Sequence, residues 1–324
     1  MCFLSLLFMK KRIYLLLFFI PFLIFSQEKY SKEIQLISDN DLYVSTSRDR
    51  YYTNGLFFKY NYLSKKVTEK VEKRIFEWEI GQQMYTPNRP TVERVELHDR
   101  PFAAYLYGSF GVTRVYKKNR LLKTTIQIGT IGPNAFGKEV QDLIHDIYGY
   151  KEATGWSYQV ANAFGLNFNA EYIHFITKSN TNGFDLSWAS KGKIGTIFTD
   201  ISSGVVARFG FKPLANFTNS IAFGTHLNNE KTNYIRQIES FLFIKPMFRY
   251  AFYDATLEGS FLNDNSTVTK ELIPFVFDVA IGIQCTANRF NFGYTFNYNT
   301  SKSEGLRYTY GNKYGTISFS YLLH

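Results

Sequence analysis

The sequence predicts an all-β fold: a transmembrane antiparallel β-barrel of about 12 strands with a short helix in an extracellular loop. Three observations predict it. Aromatic residues make up 18% of the 324 residues. The mean hydropathy is nevertheless slightly negative, at -0.19. Beyond the first thirty residues no segment has enough consecutive apolar residues for a membrane helix, while apolar and polar residues alternate along much of the chain. Barrel strands produce this combination, because outward positions are apolar, inward ones polar, and aromatic girdles sit at both interfaces. A soluble β-sandwich is the weaker alternative.

Residues 1–26 read as a signal peptide. Lys10-Lys11-Arg12 form its basic region and Ile13 to Phe25 its apolar region, broken by Pro21, with a cleavage site expected at Ser26-Gln27. Met9 is a candidate start of translation. Cys2 precedes the basic region, so no lipobox cysteine follows it. Cys285 is the only cysteine left after processing, which excludes an internal disulfide. The segment holds three basic and no acidic residues, so its removal lowers the formal net charge from +10 to +7. For an exported chain, that balance suits an anionic lipid partner and not nucleic acid. Residues 27–324 carry no linker, repeat or low-complexity run and read as one barrel domain.

The period-two candidates, in order, are 33–38, 53–63, 75–83, 102–115, 121–130, 164–177, 184–197, 202–211, 240–250, 252–262, 274–284, 289–299 and 314–323. That is thirteen, and single-chain bacterial barrels have an even number of strands. One candidate is therefore expected to fail, most readily in the Gly-rich stretch 184–211, leaving twelve. The helix candidate is 137–148, which spaces Val140, Leu143, Ile144 and Ile147 on one face and ends at Gly149. Gln141 and His145 lie four residues apart and share a neighbouring face.

Strand parity assigns sides. With the N-terminus in the periplasm, strand one runs outward and 39–52 is an outer loop. Residues 64–74 then turn in the periplasm, 84–101 lie outside, 116–120 return to the periplasm, and 131–156, with the helix, lie outside. Three polar loops thus share one rim. The basic runs Lys65-Lys66 to Arg74 and Lys117-Lys118 to Arg120 fall on the periplasmic side, where they read as solvated turns.

On that rim, Asp39-Asn40-Asp41 and Thr53 bracket the first loop and offer the oxygen ligands a hard cation takes. The spacing is no EF-hand, and an Asx-turn explains the same residues without a metal. Of five histidines, His145 alone lies on an amphipathic helix, beside Gln141 and Asp146. It could take a proton from water, or be an exposed helix residue. Arg100 could clamp a phosphate or pair with Asp99. No Gly-x-Ser-x-Gly elbow, paired-cysteine motif or phosphate-cradling loop is present.

Seven short motifs in order resemble the outer-membrane lipid A 3-O-deacylase family. They are Asp39-Asn40-Asp41, Asp49-Arg50-Tyr51-Tyr52-Thr53-Asn54-Gly55, Gln82 with Tyr85-Thr86-Pro87, and Asp99-Arg100-Pro101-Phe102-Ala103. Gly129 with Gly132-Pro133, Gln141 with His145, and Gly155-Trp156 with Gln159 complete them. They span the N-terminal half of the processed chain. The resemblance implies a twelve-stranded barrel with its site between the outer rim and a loop helix. It implies calcium-dependent hydrolysis of the ester-linked acyl chain at the 3-position of lipid A. His145 would be the general base, with Asn40 and Asp41 near the Ca2+ and Thr53 and Gln141 orienting water or substrate. Asp49, Arg50, Asp99 and Arg100 would face the substrate, the arginines at its phosphates. The implied partners are lipopolysaccharide and the outer membrane, with a monomeric enzyme facing the outer leaflet.

The chain departs from the family's pattern in three places. Lys151, followed by Glu152, stands where some members have an acid. Ala103-Ala104 replaces Ala-Gly, and the chain ends Tyr321-Leu322-Leu323-His324 instead of on an aromatic. Two other functions fit a barrel of this kind: hydrolysis of another acyl ester such as a phospholipid, and a non-enzymatic pore or adhesion platform.

Overall fold

In a computed structural model the described residues are 29–324, except 45–49, 67, 90, 92–93, 118, 150–151 and 178–182. The expected signal peptide, Asp49 and Lys151 lie outside them. The strands are β1 (Lys32–Asn40), β2 (Tyr51–Leu63), β3 (Val71–Thr86), β4 (Ala103–Tyr116), β5 (Arg120–Ile131) and β6 (Ala163–Phe175). They continue as β7 (Phe184–Gly195), β8 (Phe198–Gly210), β9 (Ser240–Asp254), β10 (Phe275–Ala287), β11 (Phe290–Asn299) and β12 (Asn312–Leu323). Each pairs antiparallel with its sequence neighbour, and β12 closes on β1, Lys32 facing Leu323 and Asn40 facing Gly315. Closure leaves no strand edge unpaired.

The expected surplus strand is 252–262, not a part of 184–211, which holds β7 and β8 joined by a tight turn. Alternation carries β9 through Phe252 and Tyr253 to Asp254. There the Asp254 carboxylate accepts from the Thr256 N–H at 2.9 Å and starts the four-residue helix α2 (Ala255–Glu258), which Gly259 ends at φ 78°. The longer helix α1 occupies Gly137–Tyr148, as its periodicity predicts, and Gly149 caps it at φ 70°.

The two wall faces differ as barrel strands require. Outward positions such as Leu36, Phe58, Ile128, Phe168 and Phe248 are exposed and apolar. Inward positions carry paired charges: Lys123 Nζ lies 2.7 Å from Glu77, and Glu171 holds Lys245 at 3.1 Å and Lys191 at 3.3 Å. Above this polar tier, at the end that strand parity assigns to the outside, Tyr52, Phe57, Tyr85, Tyr105 and Tyr107 pack inside the barrel with Ile131, Val160 and Ile197.

Below it, the segment 211–239 between β8 and β9 folds into the inner end. Phe217 and Phe223 pack against Phe175, Val206 and Met247. Arg208, fully buried, holds Asp185, Ser220 and Glu239. Lys73 donates to the Thr225 carbonyl and to Asn228 Oδ1, both at 2.7 Å. The lumen is thus filled by aromatics at one end and by a hydrogen-bonded plug at the other. A chamber of about 350 Å³ lies above the plug, lined by the paired charges.

Candidate active site

The first loop leaves β1 at Asn40, an outward-facing position whose partner on β2 is Asn54. Asn40 Oδ1 accepts from the Leu42 N–H at 2.7 Å, so the Asx-turn is present. Asp41 is buried, and its Oδ2 accepts from the Arg50 N–H at 2.8 Å, which ties the loop's two ends together. Asp39 points into the lumen instead, where Tyr52 donates to it at 2.7 Å and Thr316 Oγ1 also bonds it.

Thr53 occupies a β-bulge. Tyr52 faces Tyr85 and Asn54 faces Met84, so Thr53 is an extra residue on β2 without a cross-strand partner. A bulge re-aims side chains at a strand end. Here Tyr52 stays inward while Thr53 and Asn54 both line an outer cavity. Thr53 Oγ1 donates to the Met84 carbonyl at 3.3 Å.

Helix α1 lies against the outside of the wall above Met84 and Ala104. Its seat is an apolar cluster of Met84, Phe102, Ala104, Ala135, Ala153 and Trp156, with Val140 packed on it. The contact is close at Gly137: a Cβ there would sit 2.4 Å from the Trp156 ring and 2.5 Å from Ala104 Cβ. The helix buries its Gly137, Gln141 and His145 edge. Leu143 and Ile147, spaced for the same face as Val140 and Ile144, are instead 61% and 71% exposed. The polar edge faces the rim and the apolar edge faces outward.

Asn40, Asp41, Thr53, Gln141 and His145 meet around one cavity of about 30 Å³, with Leu42, Asn54, Met84 and Ile144 completing its wall. That is room for about one water. Gln141 is oriented by Trp156, whose indole N–H donates to Gln141 Oε1 at 2.6 Å. An indole only donates, so the amide oxygen must face it and the amide nitrogen faces His145, 3.4 Å from Nε2. An amide NH2 cannot accept. This contact therefore suits the neutral imidazole with Nε2 unprotonated, a tautomer assigned from the network. Trp156 belongs to a motif quoted from the sequence, but its hold on Gln141 has no sequence signature. Asn54 lies in a quoted motif but is not among the expected site residues, and Met84 carries no such signal.

The cavity's oxygens, from Asn40, Asp41 and Thr53, are of the hard type that suits calcium. Among the described residues no group of three or more His, Cys, Asp and Glu is placed to hold a metal. The set therefore fits a calcium-like ion held by one carboxylate together with amide, hydroxyl, backbone and water oxygens. It does not fit a zinc site.

Asp99 and Arg100 are elsewhere. Asp99 accepts from the Asn88 N–H, the Tyr51 hydroxyl and the Arg307 N–H. It does not pair with Arg100. The buried Arg100 donates to the carbonyls of Pro101, Tyr51 and Thr256 and lies over the Tyr85 ring. Burial pushes its guanidinium below the ordinary value, against the pull of Asp254. Both residues thus brace Tyr51, which is held at φ 68°, two positions before the bulge. A bulky residue in that left-handed region costs on the order of 1–3 kcal/mol and persists only when its surroundings fix it. Arg50 stacks on Tyr308 at 3.7 Å and bonds Tyr310 and Asn88, outside the cavity.

A family model described as outer membrane protein LpxR matches residues 13–323. Among solved structures, LpxR from Salmonella typhimurium superposes with a TM-score of 0.71 at 19% identity, covering 89% of this chain and 99% of that one. The β domain of the Bordetella autotransporter BrkA matches with a TM-score of 0.45 at 8% identity, covering 91% and 99%. An outer membrane channel from Pseudomonas putida F1 matches with 0.45 at 6%, covering 91% and 96%. No curated protein matches the sequence. The match over nearly the whole chain agrees with the closed twelve-stranded barrel, and the chain belongs to the outer membrane protein LpxR family.

Proposed function

We propose that this outer-membrane barrel is an esterase that removes the 3-O-linked acyl chain of lipid A. The observation that carries the reading is the convergence of Asn40, Asp41, Thr53, Gln141 and His145 on one small cavity at the outward, lipid-facing side of the rim. An ester at the headgroup boundary of the outer leaflet reaches such a cavity without entering the lumen. The filling of both lumen ends speaks against the pore alternative.

In this mechanism a water held in the cavity displaces the long 3.4 Å Gln141 contact at His145 Nε2 and gives a proton to that nitrogen. The water oxygen bonds to the ester carbonyl carbon. On collapse the acyl C–O bond breaks and His145 returns its proton to the departing 3-hydroxyl oxygen. The oxygens of Asn40 and Asp41 would hold calcium, which when bound would supply Lewis-acid polarisation of the ester carbonyl. Gln141, fixed by Trp156, orients the imidazole. Thr53 positions water or substrate. Asp99 and Arg100 act at a distance, by holding Tyr51 and with it the bulge.

The test is mass spectrometry of lipid A after expression in a host without such an enzyme. Loss of the 3-linked chain, dependent on calcium and abolished by His145→Ala, is the expected result. Intact lipid A with cleaved phospholipid would assign another acyl ester as substrate. Undiminished release by His145→Ala would remove the histidine from the mechanism.

A further inference from the structure

Below the cavity, beyond the row of Leu56, Gln82, Leu106 and Thr130, an apolar groove of about 350 Å³ lies on the lipid-facing wall. The register places it. Phe58 on β2 faces Ile80 on β3, Ile80 faces Gly108 on β4, and Gly108 faces Ile128 on β5. Three of these four lateral neighbours are large and at least half exposed, Ile80 at 64%. Gly108 is the gap between them. One row lower, Trp78 faces Phe110, their rings 4.7 Å apart, and closes the groove's deep end. Four residues above Gly108 along the same outward column of β4 is Ala104, beside Met84, which lines the cavity.

Neither of the usual reasons for glycine applies at position 108. It does not lie in the left-handed region, and a Cβ there would meet nothing within 4 Å. A glycine inside a strand weakens it, and often marks close approach of another molecule. The effect here is to leave space that opens only to the lipid phase. From Ala104 to Phe110 the strand runs about 20 Å. At the tilt of barrel strands this is a drop of about 15 Å, half the ~30 Å hydrocarbon core. The span from the cavity's Ala104 level to the groove's floor therefore has the depth of one leaflet, as a single acyl chain does.

We infer that this groove is the binding slot for the scissile acyl chain, running from the ester at His145 down past Gly108 to a floor at Trp78 and Phe110. The inference rests on the esterase reading. The slot measures chain length: a long chain fills it to the Trp78 ring, and a short one leaves its lower part to bulk lipid.

The test presents the full-length protein in outer-membrane vesicles with lipid A carrying short and long 3-linked acyl chains together. The readout is the ratio of long to short chains released. Gly108→Phe, which fills the slot, is expected to lower that ratio by about tenfold or more. Trp78→Ala, which opens the floor, is expected to raise the ratio for chains longer than the parent prefers. Because the ratio is internal to each sample, partial folding of a variant does not shift it. An active parent with both ratios unchanged would overturn the slot and leave the esterase standing. A parent that releases no acyl chain from lipid A would overturn the esterase reading and the slot with it.

Discussion

Two long non-strand segments complete this barrel, and they use polar residues in opposite ways. The inner plug, 211–239, lies within the lumen and saturates the charges it meets: Arg208 of β8 bonds Asp185 of β7 and the plug's Ser220 and Glu239, while Glu239 also accepts from the Ile221 N–H at 2.7 Å. The outer segment around α1 lies outside the wall and is seated by apolar packing on Trp156 and Phe102. Its buried polar side chains, Gln141 and His145, gather with Asp41 and Thr53 around a gap. Polar groups that close on one another hold a fold together. Polar groups that keep their own partners yet line a space can also meet a third molecule there.

Substitutions at the two segments should separate these roles. His145→Ala should have the largest effect, an activity loss of about 10²–10⁴-fold, the usual worth of a general base. The barrel should remain folded by its heat-modifiable migration in gels. Arg208→Met should do the reverse. It strands Asp185 on β7 and Glu239 in the plug and should cost on the order of 3–5 kcal/mol in reversible unfolding, with the turnover of the folded fraction unchanged. Equal activity losses in both would dissolve the contrast.

Trp156→Phe keeps the apolar seat but removes the donor to Gln141. Activity should fall by roughly tenfold, with a stability loss of about 1–3 kcal/mol for the amide oxygen left buried. The fall should appear in turnover more than in substrate affinity, since the indole N–H bonds the orienting amide and not the substrate.

The smallest effect concerns the outer loop before β12, where burial and the nearby Arg249 push the Lys302 ammonium down from 10.5 to about 8. The folded value lies below the unfolded one, so the folded state sheds this proton first. Stability should therefore be flat below about pH 8 and rise as the pH climbs from there toward 10.5, by about 1 kcal/mol after allowing for water at the rim. Lys302→Met should abolish that rise in unfolding midpoints measured against pH.

Regular elements were legible in the sequence because their periods are. Strand alternation and the 3.6-residue spacing of Val140 and Ile144 placed the twelve strands and α1. Parity then put the polar loops on one rim. Three features had no periodic trace. The surplus strand arose because alternation runs on past the Asp254 cap. The Thr53 bulge inserts one residue into a pattern that reads equally well without it. The plug is held by individual bonds such as Lys73 to Asn228, between residues far apart in sequence. The outward turn of Leu143 and Ile147 also escaped the reading, since an apolar helix edge signals burial in water but not in lipid.

The filled lumen bears on the cell that carries this protein. Porin-like barrels admit solutes in proportion to their number. With aromatics packed across the outer end and 211–239 lodged in the inner end, this one offers small molecules no such route. An envelope that carries more of this protein should therefore take up small solutes no faster than one that carries less.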